Sequence, residues 1–143
     1  MNPHDSDHYN CLCKLGDALT MNKVWGEELI ICRTPHAAKI MIFKPGFQVS
    51  THWHQYKSET FILISGALIV ETLDAQANKH TVTLNKPFSS ITLMPMTPHT
   101  FYCPQEQTEN TVFIEASTYD SDDDNYRLTK SGPRPYEAFK PGT

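Results

Sequence analysis

The stretch "THWHQYKSETFILIS", residues 51–65, places two histidines two apart, a lysine and a glutamate two apart, and an apolar run directly after them. Alternate residues of a strand point to one face, so His52 and His54 project together while Trp53 and Gln55 face away. A short turn at Tyr56 to Ser58 folds the chain back, and Glu59 opens the next strand on the side of the two imidazoles. By the same parity Lys57 shares the side of Glu59.

Period-two apolar segments bounded by turn residues continue in both directions. "AKIMIF" ends at Pro45-Gly46, "ETFILIS" at Gly66, "ALIVETL" at "DAQANK" and "HTVTL" at Asn85-Lys86-Pro87; "SSITLM", "HTFYC" and "NTVFIEA" follow. These predict seven strands, and no 3.6-residue stripe competes with them between residues 37 and 118, so the fold class expected is all-β, an antiparallel sandwich or barrel. His99, behind Pro95 and Pro98 in "LMPMTPHTF", stands at the start of a new strand and is a fourth donor candidate. Three imidazoles and a carboxylate suit one divalent transition metal: Zn, Mn, Fe, Ni or Co.

The rest of the chain narrows the function classes. At 143 residues it suits one compact domain. The net charge of −4 is small and the basic residues are scattered, so neither nucleic acid nor a membrane surface is expected as a partner. No stretch reaches the ~20 apolar residues of a spanning helix, and "MNPHDSDHYN" lacks the features of a secretion signal, which implies a soluble cytoplasmic protein. Cys11, Cys13, Cys32 and Cys103 are too few and too irregular for a disulfide scaffold. Cys103 reads as a small buried hydrophobe or as a neighbour of the pocket. The run Asp120, Asp122, Asp123, Asp124 reads as a solvated loop. Residues 1–23 look irregular, with a helical turn near "KLGDALT", and 131–143 form a Pro/Gly-rich arm, which leaves 24–130 as the barrel domain.

Gly46, five residues, His52, one residue, His54, four residues, Glu59, six residues and Gly66 reproduce the first motif of the cupin superfamily, and His99 stands where its second motif places the last histidine. The chain is thus similar to a single-domain metal-binding cupin, which implies a small double-stranded β-helix, the jelly-roll barrel. In the second motif, Met94, Met96 and Cys103 replace the usual proline, glycine and asparagine.

"VWGEELI" at 24–30 and "FIEASTYDSDDDNYRL" at 113–128 resemble segments of the cupin domain of type II phosphomannose isomerases, and "HWHQYKSE" resembles an element of D-lyxose isomerases. The resemblance implies a metal-dependent aldose–ketose isomerase acting on a small sugar or sugar phosphate, working as a homodimer, without the nucleotide-transferase domain of bifunctional enzymes. Lys57 then stabilises an enediolate, or is a solvated turn lysine. Glu115 is the spare carboxylate that could act as a base, or a salt-bridge partner of Arg127. Arg127 binds a sugar phosphate, or neutralises the aspartate turn. A non-haem iron dioxygenase and a non-catalytic sugar-binding module use the same fold.

Overall fold

The computed structural model describes residues 16–134, and every regular element in it is a strand. All seven predicted strands are present, as β3 (His36–Phe43), β6 (Glu59–Ser65), β7 (Leu68–Leu73), β8 (Lys79–Leu84), β9 (Ser90–Leu93), β10 (His99–Tyr102) and β11 (Thr111–Thr118). To these the structure adds β1 (Leu19–Lys23) and β2 (Gly26–Cys32), and four two-residue strands: β4 (Phe47–Gln48), β5 (His52–Trp53), β12 (Tyr126–Arg127) and β13 (Gly132–Pro133). The larger sheet runs β1-β2-β3-β11-β6-β9; the smaller runs β12-β5-β10-β4-β13, with β7 on β10 and β8 on β7. Every pairing between these strands is antiparallel. This is the jelly-roll barrel of the cupin fold.

The part of the N-terminal segment expected to be irregular that lies nearest the barrel is an edge strand. Leu19 to Lys23 pair with Gly26 to Ile30, so Leu19 and Thr20, placed in a helical turn by the sequence, are extended. Of the C-terminal arm, Gly132 and Pro133 pair with β4. Arg134 lies over the Tyr102 ring at 3.6 Å and donates to Glu71 at 3.0 Å. Cys11 and Cys13 lie outside the described residues. No helix among the described residues is long and apolar enough to cross a membrane.

The core fills the space between the sheets. Phe43, Phe61, Leu63, Leu68, Val70 and Phe113 are fully buried, each contributing roughly 1.5–3 kcal/mol by leaving water. Trp25 stacks on Phe43 at 4.1 Å. That contact brings the next residue, Gly26, against the neighbouring strand: its φ is +147°, and a Cβ there would meet the Ile42 carbonyl at 1.8 Å. Gly46 and Gly66 also hold positive φ, +77° and +81°, so both glycines that frame the histidine motif occupy backbone conformations that other residues adopt with strain. Met96, where the second motif has glycine, takes φ 67°. The turn therefore keeps the glycine-like geometry without the glycine.

Candidate metal centre

One short strand, the residue just after it and two strand starts bring the four predicted donors together at one end of the barrel. His52 lies in β5 and pairs with His99 at the head of β10, while Glu59 heads β6. His52, His54, Glu59 and His99 are 7%, 6%, 2% and 2% exposed. The His52 and His99 rings lie 4.4 Å apart by centroid, and His52 and His54 5.0 Å apart. Phe61 and Phe101 flank His99 from the core side and close the site beneath.

Each imidazole is oriented by its other nitrogen. Nδ1 of His52 lies 2.7 Å from the Ser50 carbonyl, Nδ1 of His54 2.5 Å from that of Asp124, and Nδ1 of His99 2.8 Å from that of Thr97. A carbonyl only accepts, so all three Nδ1 atoms donate and all three Nε2 atoms turn a lone pair inward. Glu59 meets them there: Oε1 is 2.9 Å from His54 Nε2 and Oε2 is 3.1 Å from His99 Nε2. Lone pair facing carboxylate in a buried site is repulsive unless a cation stands between them.

The residues fit a metal on this ground. His54 Nε2, His99 Nε2 and Glu59 Oε2 are buried without a hydrogen-bond partner, and one donor atom from each of the four residues falls within 4.8 Å of the others. Donors around one ion at ~2.1 Å sit about 3 to 4 Å from one another. In the metal-free chain a proton serves instead. Burial would lower the His54 pKa, but the Glu59 carboxylate outweighs it and holds the group above its usual value. His52, which lacks that partner, is pushed down to about 3 by burial and by His99.

A second layer of charge surrounds Glu59. Lys57 is 5% exposed and its Nζ lies 2.7 Å from Glu59, 3.1 Å from Asp120 and 3.5 Å from Glu115. Burial would lower its pKa, but Glu115 and Glu59 raise it further, so Lys57 stays an ammonium. It is not the solvated turn residue that sequence alone allows. Lys39, directly across the ladder from Glu115, is held by Asp120 at 2.8 Å, Glu28 at 3.0 Å and Glu115 at 3.9 Å. Glu115 shares the inward face with Phe113; burial and the Glu59 charge raise its pKa to about 7 against the pull of Lys57 and Lys39. Its Oε2 has no hydrogen-bond partner.

Arg127 is not the partner of Glu115. Among the described residues it forms no ion pair; it stands across from His52 in the β5–β12 ladder and lines the mouth of the cavity. The acidic run is neutralised elsewhere: Arg33 binds Asp120 at 3.0 Å and Asp122 at 2.8 Å. The solvated-loop reading of this run is corrected at two positions. Asp120 sits among Lys39, Lys57 and Arg33, and Asp124 is buried, accepting from the backbone N–H groups of Gln55, Tyr56 and Lys57. Cys103 is a buried neighbour of Thr111 and Gln107, apart from the cavity lining.

The cavity over His52, His54 and Glu59 has a volume of about 330 Å³; its wall joins charged groups, among them Lys57, Glu115 and Arg127, to apolar ones such as Trp25, Met41 and Phe101. That is room for a small polar molecule.

No model of a known protein family and no curated protein matches the chain. Solved structures do. CapF, a capsular polysaccharide assembling protein from Staphylococcus aureus, superposes with a TM-score of 0.70 at 20% identity over 80% of this chain and 35% of its own. Oxalate decarboxylase from Lactobacillus farciminis, in a formate complex, gives 0.66 at 20% over 78% and 34%, and the Bacillus subtilis enzyme OxdC gives 0.68 at 18% over 78% and 30%. The chain spans about a third of the length of these proteins. At such identities the likeness is one of architecture: the chain has the cupin jelly-roll barrel, with a His₃Glu cluster that can hold one divalent metal ion.

Proposed function

We propose that the protein is a metal-dependent aldose–ketose isomerase acting on a small sugar or sugar phosphate. The observation that carries this reading is Glu115, a buried carboxyl outside the ligand set whose pKa is raised to about 7, lining the same cavity as His52, His54 and Glu59. The metal, when bound, would supply the Lewis acidity that polarises a carbonyl and its neighbouring hydroxyl. In the proposed reaction Glu115 takes the proton from C2 of the aldose and returns it to C1, while the O2 hydroxyl proton passes to O1, so that the atoms balance. Lys57, held charged, stabilises the enediolate between the two transfers. Arg127, which makes no ion pair among the described residues and stands across from His52, would take an anionic group on the substrate.

The charged groups on the wall, Lys57, Glu115 and Arg127, support a polyhydroxylated substrate over the diketone or thiol of a dioxygenase, and a binding module has no need of a carboxyl that titrates near neutrality. The shared architecture with a capsular polysaccharide assembling protein is in keeping with a sugar ligand. The test is to incubate the protein, loaded in turn with Zn, Mn, Co, Ni and Fe(II), with aldopentoses, aldohexoses and their phosphates. Ketose formation with deuterium uptake at C1 from heavy water is expected. Absence of ketose across the panel contradicts the reading, and oxygen uptake by the Fe(II) form would replace it with a dioxygenase.

A further inference from the structure

The turn that carries the chain from His54 to Glu59 has no ladder partner of its own between residues 54 and 58. Ser58, at its end, exchanges hydrogen bonds with Thr118, and one distant residue holds its middle. Asp124 is 8% exposed; its Oδ1 accepts the Gln55 N–H at 2.7 Å, and its Oδ2 accepts those of Tyr56 at 3.1 Å and Lys57 at 3.0 Å. The backbone carbonyl of the same residue takes the Nδ1–H of His54. Its own N–H is bound to the Ser121 carbonyl at 3.1 Å, which fixes Asp124 within its loop.

We infer that Asp124 is a positioning residue for the metal centre: it sets the tautomer and direction of His54 through its carbonyl, and the placement of Lys57 and Glu59 through its carboxylate. Both halves act on one element. An ionised carboxylate is acceptor-only and matches three N–H donors. Loss of that anchor frees the turn and, with it, the carbonyl that orients His54. The Met96 N–H holds the His54 carbonyl at 2.7 Å, but that bond does not orient the ring, whose Nδ1 has the Asp124 carbonyl as its acceptor. Asp124 is not among the residues that line the cavity over the donors, so its effect reaches a ligand there through the residues it holds.

The inference rests on the metal site and not on the proposed reaction; a chain that binds zinc yet isomerises nothing leaves it intact. The test compares wild-type protein with Asp124→Asn, in which an amide turns N–H donors toward N–H donors. Zinc affinity is measured by chelator competition, and the coordination of Co(II) is read from its visible absorption. We expect ~10–100-fold weaker zinc binding, the usual cost of losing such a support, with an altered Co(II) spectrum in a protein whose circular dichroism is unchanged. Equal zinc affinity and an identical Co(II) spectrum overturn the inference. If the variant does not fold, zinc-loaded wild type decides: long-range ¹H–¹⁵N correlations must place the His54 proton on Nδ1, and a proton on Nε2 overturns the assignment.

Discussion

Lys57 Nζ stands 2.7 Å from the Glu59 carboxylate, the group whose two oxygens also approach His54 and His99. Glu59 therefore belongs at once to the donor set and to a buried network of ammonium and carboxylate groups. Removing Lys57 would leave Glu59, Glu115 and Asp120 short of a buried counter-charge. We expect Lys57→Met to lower the unfolding free energy by about 3–5 kcal/mol in denaturant titrations of metal-free protein, and, on the proposed isomerase reading, kcat of the metal-loaded protein by ~10²-fold. A change within ~0.5 kcal/mol, typical of a surface residue, would show that the network does not bear on stability.

If the protein is the isomerase proposed, Glu115 gives its reaction a pH signature. Below about 7 its carboxyl holds a proton and cannot accept another, so kcat is expected to rise with pH through that value and then level. Glu115→Gln should abolish the rising limb and cost ~10²–10⁴-fold in rate. Linkage has the opposite sense. The folded state keeps this proton to about 7, while the unfolded chain releases it near ~4.3, so Glu115 makes stability fall as pH rises across that window. A pH–rate profile unmoved by Glu115→Gln would remove Glu115 from the proton transfer.

Two backbone positions should respond to substitution in opposite directions. Gly26→Ala forces a Cβ against a backbone oxygen 1.8 Å away that no side-chain motion can clear, and we expect a loss of about 4 kcal/mol or more, read as loss of folded protein. Met96→Gly relieves a positive φ on an exposed methionine and should leave stability unchanged or raise it by up to ~1 kcal/mol. A melting temperature that drops markedly in Met96→Gly would mean that the methionine side chain supports the turn.

The outer face of the larger sheet carries an aliphatic row. Leu29 pairs with Ile40, Ile40 with Ile114 and Ile114 with Ile62, all half-buried on the face away from the core. We propose that two copies pair across it; light scattering should give about twice 16.3 kDa, and Ile114→Lys should give a monomer. A wild-type mass of one chain at micromolar concentration contradicts this.

The donor set was legible because strand parity fixes which side chains share a face, and His52, His54 and Glu59 obey it within a span too short for register to slip. The seven predicted strands were legible for the same reason. Lys39 was not: "AKIMIF" is apolar on both faces, since Ile40 and Ile42 lie on the outer side, so alternation could not mark the lysine as inward. Leu19 to Lys23 form an exposed edge strand with no buried face to leave a pattern. Asp120 and Asp124 belong to a loop, where no period exists, and their partners lie more than sixty residues away in sequence. The one available signal was the excess of acid just after the strand that carries Glu115. Arg127 was placed near the site by resemblance, and the ladder puts it opposite His52.

The central claim is a metal ion held by His52, His54, Glu59 and His99, and metal content tests it most directly. Wild-type protein equilibrated with Zn and freed of excess should contain about one ion per chain by elemental analysis, and folded His54→Ala should retain far less, because one of four protein ligands is gone. A wild-type protein without metal, or a folded His54→Ala with undiminished content, would contradict the account.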